Sequence, residues 1–300
     1  SERAVAPVQE VTGLEADFAR HRVVVVGRPE WVRANVAQFR EAVAPVADRL
    51  SNPDSSAVAR AVGSRVTAVQ MGGVLAWLSS KVLGQFEAFG PSGRLLLVAP
   101  NIAQAERQLE VDPTDFRLWV CLHEETHRVQ FGAVQWLSEH FTAEVHAYLD
   151  ETDAESVAAR AVVAIKALPR GASERGLVDL VQTPRQREIL DRLTALMSLL
   201  EGHADVVMDS VGPRIVPSVD VIREKFERRR RQAGTLDGIV RKLIGLDAKL
   251  RQYSEGATFV RGVVDRVGME AFNAVWSSPG SLPTLDEIAD PDSWVTRVHG

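Results

Sequence analysis

His123, Glu124 and His127 stand in the order His-Glu-x-x-His, within Val120-Cys121-Leu122-His123-Glu124-Glu125-Thr126-His127-Arg128-Val129-Gln130-Phe131. On a helix, residues four apart share a face one turn apart, so both imidazoles reach one metal ion. Zinc takes imidazole nitrogen, and a glutamate beside the first histidine is placed to accept a proton from a water on the zinc. The chemistry spelled out is metal-assisted hydrolysis with Glu124 as the catalytic base. A catalytic zinc site also needs a third protein ligand and an open position. Leu199-Leu200-Glu201-Gly202-His203-Ala204-Asp205 offers two suitable groups, Glu201 and His203. Two residues apart on a helix they diverge by about 200°, so they cannot face one ion together. Glu201 shares its face with Asp205, four residues on. That pair suits a ligand plus a carboxylate that accepts the far N–H of a ligating histidine and fixes its tautomer. His203 shares its face with Leu199, Leu200 and Val206 or Val207, the surroundings of a packed core histidine. The metal set is therefore His123, His127 and Glu201, with Asp205 behind them.

These residues need rigid supports. Asp112-Pro113-Thr114-Asp115 reads as a helix start, with Asp112 as cap, Pro113 at the first helical position and Asp115 closing a box-like arrangement. Phe116, Trp119, Val120, Leu122 and Val129 give that helix, over about 113–131, its apolar positions. Thr183-Pro184 caps a second helix, which carries Glu201 and is stopped by Val211-Gly212-Pro213. Val23-Val24-Val25-Val26 and Arg94-Leu95-Leu96-Leu97-Val98-Ala99-Pro100-Asn101 read as strands. Pro100 favours a sheet edge for the second, against an ordinary buried strand. Between the strands a helix runs from Arg28 to about Leu50, with Trp31, Val32, Val36, Phe39 and Val43 inward. Ser51 to Ser56 is a loop, 57–68 a helix, and Gly72-Gly73 a bend. Residues 1–20 are weakly patterned. Further helices are expected over 141–149, 154–168, 220–232, 235–252, 256–265, 268–275 and 284–289, with a break at 169–173. The reading is a single mainly α domain over 1–300, α+β in detail, a helical bundle around the metal helix with a small β element.

The whole chain narrows the class. Hydrophobic content of 45% and charged content of 25% are those of a globular protein. A net charge of −5 argues against nucleic acid as a partner. No apolar run is long enough for a membrane span, and the first residues lack a signal-peptide core. Cys121 alone permits no internal disulfide, which fits a cytoplasmic setting. The basic run Arg228-Arg229-Arg230-Arg231 has Glu224 and Glu227 four residues before Arg228 and Arg231, the spacing of exposed ion pairs. Glu125 falls about 100° round the helix from Glu124, in a structural or rim position. Arg128 and Gln130 either contact substrate or cap a neighbouring loop. In Lys249-Leu250-Arg251-Gln252-Tyr253, Tyr253 or Arg251 is the candidate to stabilise an oxyanion, against a packing role.

His-Glu-x-x-His followed by Glu-x-x-x-Asp resembles the gluzincins. The metzincin continuation of glycine and a third histidine is missing after His127. Arg28-Pro29-Glu30-Trp31, Leu83-Gly84-Gln85-Phe86, Leu96-Leu97-Val98-Ala99-Pro100-Asn101-Ile102 and Glu201-Gly202-His203-Ala204-Asp205 are similar to stretches of a bacterial zincin-like family of metallopeptidases or hydrolases associated with deazaflavin-coenzyme biosynthesis. That resemblance implies a zincin-like fold, a Zn2+ cofactor and a peptide or small-molecule amide as substrate. It also implies that a strand beside the cleft pairs with extended substrate. The spacing from His127 to Glu201 is long for a gluzincin. The function expected is a zinc hydrolase, most simply a metallopeptidase; the alternatives are a catalytically silent metal-binding scaffold and an amidase.

Overall fold

The computed structural model describes residues 1–16, 18, 22–43, 72–88, 93–151, 183–231 and 246–300, and within these not the side chains of 230, 231 and 246–254. The expected loop at 51–56, the helices over 57–68 and 154–168 and the break at 169–173 lie outside those residues, as does most of the helix over 235–252.

The elements follow from the chain in order: α1 (Glu2–Thr12), β1 (Val23–Val26), α2 (Arg28–Val43), β2 (Gly84–Phe86), β3 (Leu95–Val98), α3 (Ala99–Leu109), α4 (Pro113–Ala133), α5 (Leu137–Asp150), α6 (Pro184–Ile215), α7 (Val219–Arg231), α8 (Leu246–Phe272), α9 (Leu285–Ala289) and α10 (Pro291–His299). The fold is mainly helical with one small sheet.

The sheet has the order β1-β3-β2. β1 runs parallel to β3 with Val23 opposite Leu95, and β2 runs antiparallel to β3 with Gly84 opposite Leu97. The edge reading of the 94–101 strand is corrected here: β3 is central and every residue of Leu95–Val98 is buried. An unbroken apolar run is what a strand covered on both faces requires. Pro100 does not sit in the strand at all. It occupies the first turn of α3, where its missing N–H costs nothing. The edge nearest the metal helix is β2, which packs on α4.

α4 starts as the sequence suggests, with the Asp112 side chain accepting from the backbone N–H groups of Thr114 and Asp115, each at 2.9 Å. Asp115 does not close the box. Its carboxylate accepts instead from the backbone N–H and hydroxyl of Ser218, at 3.0 and 2.6 Å, fastening the start of α4 to the α6–α7 junction. α6 runs through Pro213 to Ile215. A proline in the last turn removes one hydrogen bond, and the helix still closes, with Val216 N–H donating to Gly212 C=O at 2.8 Å.

The core is in two main parts. One lies between α4, α1, α3, α6 and α7, around Phe116, Leu122, Val129, Val207 and Ile222. α1, unmarked in the sequence reading, belongs to it through Ala4 and Val8, both fully buried. The other lies between α6, α8 and the C-terminal elements, around Leu199, Phe259, Phe272, Trp276 and Trp294. α8 is broken at Gly268, whose backbone is not helical (φ 81, ψ 165), so two helices meet there as expected from the separate stretches 256–265 and 268–275. A smaller cluster of Trp31, Leu96 and Val98 underlies the sheet. Phe39, expected to face inward on α2, is 49% exposed. Residues 72–78 are helical, Gly72 and Gly73 included. No described helix is long and apolar enough to cross a membrane.

Candidate metal centre

α4 and α6 pack against each other and bring together side chains from two distant parts of the chain. His123 and His127 lie one turn apart on α4, and Glu201 faces them from α6. The imidazole Nε2 atoms are 3.3 Å apart. Glu201 Oε2 is 3.5 Å from His123 Nε2, and Oε1 is 3.6 Å from His127 Nε2. Two donors held about 2.05 Å from a tetrahedral zinc are about 3.3 Å apart. The three separations are therefore those of a tetrahedral set closed round a small cation. Among the described residues this is the one group of three His, Cys, Asp or Glu side chains close enough to hold a metal.

Gln130 fixes the tautomer of His127. Its Nε2 donates to Leu200 C=O at 3.0 Å and to His203 Nδ1 at 2.9 Å, which turns its Oε1 toward His127 Nδ1, also at 2.9 Å. Oε1 only accepts, so His127 carries its proton on Nδ1 and presents a bare lone pair at Nε2. A lone pair aimed at a second imidazole nitrogen and at a carboxylate is the donor chemistry of a cation site. The same chain puts the proton of His203 on Nε2, which is buried without a hydrogen-bond partner. His203 is stacked on Phe272 with its centroid 5.6 Å away, and burial pulls its pKa down to about 3. It is a neutral core histidine, and Glu201 is the group on α6 that meets the pair.

Asp205 lies one turn beyond Glu201 at an exposed position. The group that accepts from His127 is Gln130, so the role expected of Asp205 concerns His123. Helical spacing could have found this: Gln130 is three residues from His127 and shares its face. We expect Gln130→Leu and Asp205→Ala each to weaken zinc binding roughly 10–100-fold without removing it; competition titration with a chromogenic chelator measures both. Unchanged affinity in Asp205→Ala would make it a surface carboxylate instead.

Glu124 is 6% exposed and backs onto β2. A Cβ on Gly84 would sit 2.4 Å from its Cδ, so only glycine leaves room for this carboxylate against the strand. Burial, reinforced by Glu201 and Glu125 and opposed by His127, raises its pKa from 4.5 to about 7. A base for use near neutral pH has this value. The sign for stability follows. The fold holds this proton more tightly than the unfolded chain, so the metal-free fold loses stability as pH climbs from about 4.5 to about 7. Glu124→Gln cannot ionise, so its metal-free melting temperature is expected to exceed the parent's above neutrality. The gain is at most on the order of 3 kcal/mol and disappears below the ordinary carboxyl range. Parallel melting curves for the two proteins across pH would refute this.

Glu125 is fully buried, so it is structural and not at a rim. It pairs with Arg128 at 2.6 Å, and the guanidinium lies 4.0 Å over Phe18. Arg128 is thus committed to the interior. Cys121 is buried, and burial raises its thiol pKa, which removes it further from metal chemistry. The oxyanion candidates Arg251 and Tyr253 belong to α8, and their side chains lie outside the described residues.

The family model for zincin-like metallopeptidases matches residues 1–295. The chain belongs to this family. A solved structure from Chloroflexus aurantiacus, described as "a putative hydrolase with a novel fold", is similar at 32% identity and a TM-score of 0.73, over 99% of this chain and 87% of that one. No curated protein matches the chain. As a zincin-like metallopeptidase by family, the chain is placed among hydrolases that use a metal, typically zinc.

Proposed function

We propose that this zincin-like chain is a zinc-dependent peptidase with Glu124 as its catalytic base. The observation that carries the reading is the facing of His123, His127 and Glu201 at tetrahedral spacing beside a buried, basic carboxylate. His123, His127 and Glu201 would hold the ion, and Gln130 orients the His127 ring. Bound zinc supplies a polarised carbonyl and a water of lowered pKa. Glu124 would accept a proton beside the ion and return it to the leaving nitrogen, a task for a group basic enough to accept and acidic enough to release it.

A peptide is favoured over a small amide by the neighbouring strand. β2 has β3 on one side and, among the described residues, no strand on the other. Its Gly84 touches Glu124. An extended peptide added along β2 would pass its carbonyls in front of the base, with backbone hydrogen bonds fixing the register. Tyr253 or Arg251, on α8, is the proposed oxyanion stabiliser.

The test is metal analysis followed by digestion of a broad peptide library, read by mass spectrometry, with Glu124→Gln as the blank. Cleavage by the parent alone is the expected outcome. Stoichiometric zinc with no cleavage would make the chain a silent metal-binding protein, and turnover of small amides alone would make it an amidase. Ligand identity is checked separately: Glu201→Ala is expected to lose zinc and His203→Ala to keep most of it, measured on folded protein.

A further inference from the structure

A cavity of about 670 Å3 lies apart from the metal centre and shares no residue with it. Its lining includes Arg28, Lys81, Lys225, Arg228 and Arg229 against one carboxylate, Glu110. The chain as a whole carries a net charge of −5, so this hollow reverses the sign locally. We propose that it binds a small phosphorylated molecule, at a site separate from hydrolysis.

The argument rests on how these cations are held. Several arginines elsewhere are paired with acids: Arg94 with Glu87, Arg117 with Glu106, Arg192 with Glu144 and Arg297 with Glu287. Arg28 and Lys225, on the cavity wall, are held by neutral groups. Arg28 donates from Nε to Asn101 Oδ1 at 2.7 Å and from Nη2 to Gln104 Oε1 at 2.6 Å. Asn101 is 3% exposed, and its Nδ2 donates to the carbonyls of Ser79 and Val82, both at 2.7 Å. The buried amide is therefore locked with its oxygen toward the guanidinium. Arg28 is oriented without losing its charge, and part of its fork remains for another acceptor. Lys225 is tied in the same way, to the backbone carbonyl of Glu110 at 2.9 Å. Arg228 forms no ion pair with Glu224, where the helical spacing predicts one, and neither Arg228 nor Arg229 has a carboxylate partner among the described residues.

Charges that repel one another and are held by neutral groups are a preorganised anion site. Arginine forks meet phosphate oxygens in pairs, and lysine adds a point charge. The volume lies within the range of small-ligand pockets. Leu109 is the one apolar residue of the lining and no aromatic ring takes part, so neither an apolar ligand nor a stacked base is served. A diphosphate or a sugar phosphate fits that chemistry.

The probe is inorganic pyrophosphate, titrated calorimetrically at fixed ionic strength into the full chain as isolated and into its His123→Ala variant. Saturable one-site binding, equal in both, is expected. It should weaken roughly 10-fold or more in the surface double variant Arg228→Ala/Arg229→Ala and in Arg28→Gln. No saturable binding, or binding lost with His123 and indifferent to the arginines, would overturn the proposal. So would tighter binding of a single-stranded oligonucleotide than of pyrophosphate. Co-sedimentation with phosphatidylcholine vesicles carrying a phosphoinositide, with no binding of free pyrophosphate, would place the phosphate on a membrane and overturn the soluble ligand.

Discussion

Glu124→Gln is expected to keep its metal and lose hydrolysis by roughly 10²–10⁴-fold. The carboxylate is not among the three donor groups that meet at the centre, and the amide is its nearest equal in shape. It occupies the same space against Gly84, where a methyl group would already be too much. What disappears is the ability to take and return a proton. The check is zinc content and peptide turnover on the same preparation. Loss of zinc as complete as in His123→Ala would make Glu124 a ligand and overturn its role.

Gly256→Ala is expected to have the largest effect on the fold. α8 crosses α6 so closely that a Cβ at Gly256 would lie 2.0 Å from the carbonyl oxygen of Ser198, and one at Gly202 would lie 2.2 Å from the backbone carbon of Gly256. Both obstacles are backbone, which cannot swing aside as a side chain can. The helices must separate, opening the core around Leu199, Phe259 and Trp276. Overpacking against side chains costs about 1–3 kcal/mol, and a backbone clash at such a crossing should cost about 3 kcal/mol or more. Glu201 precedes Gly202, so the same displacement moves a metal donor. Thermal melting and zinc stoichiometry should fall together in Gly256→Ala. A variant that melts like the parent would show that the crossing has slack.

What the sequence made legible is what depends on short spacing. His123 and His127 declare themselves because one helical turn separates them, and Asp112-Pro113 marks the start of that helix by local capping chemistry. Glu201 needed the company of Asp205 and a family resemblance to be chosen over His203, because the approach of α6 to α4 is not written locally. The acceptor behind His127 went unread for the same reason. Gln130 was in view on α4, but what orients it is Leu200 and His203, some 70 residues later in the chain. The sheet was misread at Pro100, where one proline serves equally as the end of a strand or the opening of a helix. The cationic cavity was hidden because Arg28, Lys81 and Arg228 are dispersed along the sequence, and each reads singly as solvated charge.

The parallel pairing of β1 with β3 has a kinetic side. Val23 meets Leu95, and the chain between them must be gathered in before either strand gains anything. Long loops close late, and pairings between distant strands are slow relative to helix formation. β2 is held by β3, and Gly84 on β2 is the wall against which Glu124 rests. The helices carrying the metal donors need not wait for this; the wall behind the base must. On dilution from denaturant, helical circular dichroism should therefore recover first and hydrolysis afterwards, with metal already bound during the interval.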